Sequence, residues 1–174
     1  MKKLFAIAIA ASILGGLYGF SIGLGGQYVI GRPGAMEDST FAYPAIVADI
    51  MCKPLPILGF RIGLVQYNII PEEEEGALET EYKFGLGTSA TALIYIPMAG
   101  AISPYIPLGF TYEGRPMETI FYLAGGIGAE MGFGVVSGYL EGGINFVSWS
   151  PEVGDSESDN WFYVQGGVRI PIGL

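Results

Sequence analysis

Apolar and polar residues alternate with a period of two along nearly all of the chain beyond its first sixteen residues. No long segment repeats at the spacing of an amphipathic helix, and Gly and Pro interrupt the apolar stretches too often for helices. The pattern predicts eight strands, at 17–27, 41–52, 57–68, 80–95, 102–113, 118–131, 134–148 and 160–173. Each approaches or exceeds the ~9–11 residues that a tilted strand needs to cross a bilayer.

The two faces of these strands differ sharply. Phe20, Ile22 and Leu24 oppose Ser21, Gly23 and Gly25. Phe60, Ile62 and Leu64 oppose Gly59, Arg61 and Gly63. Tyr82, Phe84, Leu86 and Ile94 oppose Lys83, Gly85, Gly87, Ser89 and Thr91. The sixth, seventh and eighth strands set Phe121, Leu123, Val136, Leu140, Phe162 and Val164 against Tyr122, Glu130, Tyr139, Glu141, Tyr163 and Arg169. A soluble, lipocalin-like barrel has the same alternation with its apolar face inward. Here the polar face is mostly Gly and small residues, which suit a cramped lumen. Its few charges balance: Asp49, Glu130 and Glu141 against Arg61, Lys83 and Arg169. A solvated exterior carries far more charge. The bulky apolar face therefore points to lipid.

The connections alternate as well. Lys53–Pro56, Pro97–Gly100 and Gly132–Gly134 read as short turns; Gly26–Thr40, Pro71–Glu79, Gly114–Met117 and Ser150–Asn160 are mostly longer and polar. Short turns on one rim and longer loops on the other are the mark of an outer-membrane barrel, with both termini on the short-turn, periplasmic side. Apart from the lumenal trio, the acidic residues, Glu113 and Glu118 among them, lie in or beside the long loops. Aromatic residues Tyr67, Tyr82, Tyr112, Trp149, Trp161 and Phe162 fall near the long-loop rim, and Tyr18, Tyr105 and Phe133 near the other, as interface girdles do.

Ahead of the first strand, Met1-Lys2-Lys3 and the apolar run Leu4–Leu14 have the form of a cleaved export signal. The expected division is a signal over 1–19, cut somewhere between Ser12 and Gly19, and a barrel domain over 20–174. Stretches such as SPYIPLGFTYEG (103–114), FYLAGGIGAEMGF (121–133) and NWFYVQGGVRIPIGL (160–174) make the chain resemble the small eight-stranded outer-membrane barrels, the OmpX-like and OmpA-transmembrane-domain-like proteins. The resemblance implies an integral outer-membrane protein amid lipid and lipopolysaccharide, inserted by the barrel-assembly machinery. It departs from that family's habit of ending on an aromatic residue: this chain ends on Leu174.

Composition narrows the chemistry. The 174 residues carry a net charge of -9, which excludes a nucleic-acid binder, because phosphate contacts need a basic face. There is no His, which removes most general-base, triad and zinc chemistry. Cys52 has no second Cys to pair with and no His to activate it. Glu130 and Glu141 invite comparison with a glycosidase pair. Yet a turn at 132–133 or 133–134 sets Glu130 opposite 135 or 137 and leaves the carboxylates about 13–20 Å apart, beyond the ~5–9.5 Å that such chemistry needs. The run Glu72, Glu73, Glu74 and Glu75 reads first as a solvated, self-repelling loop and only second as a weak cation binder. No cofactor or metal is expected.

Two contacts are expected inside the barrel. A turn centred on Leu55 sets Asp49 opposite Arg61 as a cross-strand salt bridge, and Glu141 meets Arg169 diagonally. The functional expectation is a non-enzymatic structural or surface-interaction protein with a side-chain-filled lumen and acidic outer loops; its extracellular ligand is left open. The other reading kept open is a small channel for ions or small apolar solutes, with the lining glycines leaving room.

Overall fold

The computed structural model describes residues 19–31, 41–72, 81–115, 118–151 and 157–172. These residues form eight strands: β1 (Phe20–Gly31), β2 (Phe41–Leu55), β3 (Leu58–Glu72), β4 (Glu81–Tyr95), β5 (Ile102–Arg115), β6 (Glu118–Phe133), β7 (Val136–Pro151) and β8 (Glu157–Ile172). Each pairs antiparallel with its neighbours in sequence, and β1 pairs with β8, so the sheet closes into a barrel with no free edge. The expected signal segment, with Tyr18, lies outside the described residues.

All eight expected strands are present. The first begins at Phe20 and runs on to Gly31, and the eighth begins three residues early, at Glu157. Strands of 12 to 16 residues give a wall about 30–40 Å tall at the usual barrel tilt. That exceeds the ~25 Å apolar band of a membrane barrel.

The outer wall is apolar. Leu24, Ile46, Ile62, Leu108, Leu123, Ile127, Phe146 and Val164 are all exposed, Ile127 by 75%. Their alternating neighbours are buried, Asp49, Arg61, Glu141 and Arg169 included. A contiguous apolar belt of this size has no stable place in water; it is a lipid-facing surface around a polar lumen.

Two irregularities set the register. In β2, Pro54 has no N–H to give the ladder, and pairing is disturbed between Cys52 and Leu55. The turn is Pro56–Ile57, with Leu55 opposite Leu58, and Lys53 belongs to the strand. In β3 a bulge at Leu64–Val65 leaves both side chains exposed and flips the parity above it, so that Gln66 and Asn68 turn inward. At the β6–β7 hairpin the turn is Gly134–Val135, one residue beyond the nearer of the two expected positions, 133–134. Gly134 supplies the positive φ (68°) that tight hairpin turns demand.

Candidate functional site: the barrel lumen

The lumen is stacked in layers. Nearest the long-loop rim, Val29, Tyr43, Ile120, Tyr122, Val147, Trp161 and Tyr163 pack into a buried cluster. Tyr122 and Trp161 meet edge to face, 5.5 Å between centroids. Asn68 and Glu113 are fully buried at the same level, and the Tyr122 hydroxyl donates to Glu113. Below this plug lies a polar cavity of about 40 Å³ bounded by Gln27, Asp49, Ser89, Thr91, Asn145 and Tyr163 among others. Beneath the cavity is a layer of charges. An open recess of about 420 Å³, lined by Ser21, Lys53, Glu130, Ser137 and Arg169, then faces the short-turn rim.

The charge layer is built across the barrel. Arg61 on β3 reaches Glu141 on β7, the opposite wall, through two hydrogen bonds of 2.8 Å. The Tyr105 hydroxyl donates to the same carboxylate at 2.9 Å. Glu130 accepts from Tyr95 (2.8 Å), Ser137 (2.6 Å) and Arg169 Nη1 (3.2 Å). Arg169 also lies over the Tyr139 ring, 4.1 Å from its centroid, and Lys53 Nζ sits 3.5 Å from the centroid of Tyr95. Planar, bidentate Arg–carboxylate pairing is among the strongest contacts available to a buried charge.

Inward glycines make these contacts possible. Asp49, Gly23 and Arg169 lie in one row across β2, β1 and β8. A Cβ on Gly23 would stand 2.5 Å from Asp49 Oδ1, so the carboxylate lies over the glycine. Tyr105, Gly128 and Glu141 form a second such row across β5, β6 and β7. There a Cβ would stand 2.6 Å from the Tyr105 ring. Tyr139 likewise reaches over Gly167 to Gly25, where a Cβ would stand 2.7 Å from its hydroxyl. The glycines do not leave these places empty: each lets side chains from the strands on either side of it meet, or a neighbour lean over it.

Several expectations about individual residues are corrected by this geometry. Asp49 and Arg61 both face the lumen, but Asp49 stands opposite Gly63 and Arg61 opposite Met51, so they form no salt bridge. The turn lies at Pro56–Ile57 and not on Leu55, and the extra residue at Lys53–Pro54 takes back only one position of that offset. Glu141 and Arg169 are not diagonal neighbours: their cross-strand partners on the β7–β8 ladder are Gln165 and Ser137. Glu130 pairs with Tyr139 and not with 135 or 137, while Glu141 pairs with Gly128. The two residues are therefore diagonal neighbours, their backbone positions roughly 7–8 Å apart, and the expected separation of about 13–20 Å does not hold. Both carboxylates accept from Arg and Tyr donors, and Glu130 from Ser137 as well.

Trp161 is buried in the plug, not in a girdle, and Tyr105 is a lumen residue. Glu113, expected beside a loop, is fully buried. Strand parity alone could have found all three: Trp161 shares its face with Tyr163 and Arg169, already assigned inward, and Tyr105 and Glu113 alternate with the apolar Ile106, Leu108 and Phe110 along β5. Of the other girdle residues, Tyr67, Tyr112, Phe133 and Phe162 are exposed on the outer wall. The side chains of Tyr82, Trp149 and Lys83 lie outside the described residues, as do Glu73, Glu74 and Glu75; Glu72 ends β3. Lys53, expected in a turn, is a strand residue that lines the recess.

The position of Trp161 has a simple optical test. In Trp149→Phe protein, with Trp161 as sole tryptophan, lipids brominated along their chains are expected to leave the emission nearly unquenched. Strong quenching would place the indole on the lipid side.

No family model matches the chain, and no curated protein matches its sequence. A solved structure does share its fold. Neisserial surface protein A (NspA) superposes with a TM-score of 0.65 at 10% identity, covering 87% of this chain and 96% of that one. A major outer membrane protein from Thermus thermophilus gives 0.49 at 12% identity, covering 88% and 99%. OprG from Pseudomonas aeruginosa gives 0.49 at 12%, covering 90% and 97%. In fold, the chain is a small eight-stranded outer-membrane β-barrel.

Proposed function

We propose that the protein is an integral outer-membrane barrel with a non-enzymatic, structural or surface-interaction role, its lumen sealed and its acidic loops turned outward. Lipid and lipopolysaccharide are its surroundings, the barrel-assembly machinery inserts it, and any external ligand meets the long loops. One observation carries the sealed lumen: Arg61 and Glu141 join opposite walls by a buried bidentate pair, beneath an aromatic plug. An eight-stranded barrel is just wide enough for side chains to fill, and here they bond across its full width. The lack of His in the sequence and the commitment of Glu130 and Glu141 to Arg and Tyr donors leave no free general base among these groups.

Single-channel recording in planar bilayers tests the reading, with a heat-modifiability gel confirming that the same sample is folded. The expected record is silent. Reproducible conductance steps would overturn the sealed lumen and make Asp49, Arg61, Glu130, Glu141 and Arg169 the constriction of a small pore.

A further inference from the structure

We infer that the short-turn rim of the barrel is itself a lipid-docking surface. The tips of its three hairpin turns sit at the boundary between headgroups and acyl chains of the nearer leaflet, and the surplus height of the wall stands out of the membrane on the long-loop side. The inference goes beyond the sealed lumen proposed above and holds whether or not the barrel conducts.

Turns that face water are ordinarily built from Gly, Pro, Asn, Asp and Ser. The turns on this rim span 55–58, 96–101 and 133–136, and apart from Gly and Pro every residue in them is apolar. Their tips stand clear of the barrel: Ile57 is 52% exposed, Met98 65% and Val135 82%. No charged residue occurs over 54–60, 84–112 or 131–140. Lys53, close to the first turn, points away from it: its Nζ lies 3.5 Å from the centroid of the buried Tyr95 ring, and it lines the recess inside the barrel. At the other rim the strands end or begin on charged residues, Glu72, Glu81, Arg115, Glu118 and Glu157. The apolar tips are also continuous with the lipid-facing wall. Leu55, Ile96 and Phe133, at its short-turn edge, are exposed and lead directly into Ile57, Met98 and Val135. This continuity selects lipid over a protein as the cover, because the membrane that covers the wall reaches the tips once the barrel sits a little deeper. A wall about 30–40 Å tall exceeds the ~25 Å apolar band, so the band can lie against only one end. Carrying charged residues into that band is costly, and the charge-free end is therefore the immersed one. Residues 97–101 make no backbone hydrogen bond among the described residues. Their N–H and C=O groups need water or headgroup partners, which the acyl interior lacks. The tips therefore stop at the interface, where apolar side chains insert by ~5–10 Å.

The test places a fluorescent probe at each of two tips. In Cys52→Ser protein, Met98→Cys and Val135→Cys are made and labelled singly with NBD, and the full chain is folded in lipid nanodiscs, whose two faces are both open to solvent. Ser158→Cys, at an exposed position near the start of β8 on the opposite rim, is the reference. At positions 98 and 135 a spin label near the headgroup end of the acyl chains is expected to remove most of the emission, and aqueous iodide little of it. The probe at 158 is expected to show the reverse. Each tip reads the rim by itself, so a label position that does not fold leaves the other to decide. Emission at the tips lost to iodide and untouched by the lipid-borne label would put the rim in water and overturn the inference. Tips open to iodide in nanodiscs but shielded in native outer-membrane fragments would assign the cover to a protein and overturn it equally.

Discussion

Truncating either Arg61 or Glu141 to Ala is expected to cost the barrel about 3–5 kcal/mol, the penalty for leaving the other charge buried without its partner. Both side chains are at least nine-tenths buried and share two bonds of 2.8 Å. In R61A the Glu141 carboxylate keeps only the Tyr105 hydroxyl, and in E141A the guanidinium loses both of its acceptors. The measurement is urea unfolding in lipid vesicles. Replacing both residues with Leu and Met is expected to recover most of the loss, because an apolar pair of similar volume needs no desolvation and keeps the lumen filled. The double-mutant cycle separates this pair from the rest of the layer. Single substitutions costing less than ~1 kcal/mol would show that the pair is solvated, and the sealed lumen would fall with it.

The second large effect is a contrast between adjacent glycines on β7. Gly143→Ala is expected to destabilise by about 1–3 kcal/mol, the range for forcing atoms into a filled site. Gly142→Ala is expected to be neutral or to stabilise by up to ~1 kcal/mol, because alanine restricts the unfolded chain. Gly143 faces the lumen opposite Gly126, and a Cβ there would run into the backbone of Gly125 and Gly126, which no rotamer change relieves. At Gly142 the new methyl faces outward, 3.3 Å from the nearest backbone oxygen. The same urea titration reads both. Similar losses at the two positions would mean that β7 responds to strand propensity and not to the close approach of β6 at the Gly126–Gly143 pair.

How much of this is legible in the sequence follows from which contacts are local. Alternation along a strand is a one-dimensional property, so Ser21, Asp49, Arg61, Glu130, Glu141 and Arg169 declare their inward side without reference to any other strand. Hairpin order follows from turn lengths, and closure from the need to cover two strand edges in lipid. Parity, carried through to the rim, also contains Glu113, Trp161 and Tyr105.

The pairing of charges is a different matter. Asp49 and Arg61 sit on neighbouring strands and invite a cross-strand bridge, yet the turn falls at Pro56–Ile57, beyond Leu55, and Asp49 comes to stand opposite Gly63. The partner that Arg61 takes lies 80 residues away on the far wall. Such a contact depends on barrel diameter, on the lean of each side chain and on glycine rows such as Tyr105–Gly128–Glu141, and none of these is a property of one strand. The sequence by itself determined a closed, eight-stranded wall with lipid outside and polar groups inside, because a two-residue period and short turns suffice to specify it. Only the tertiary structure decided which charges meet and which carboxylate is left without a donor, because those depend on distances across a closed barrel, set by all eight strands together.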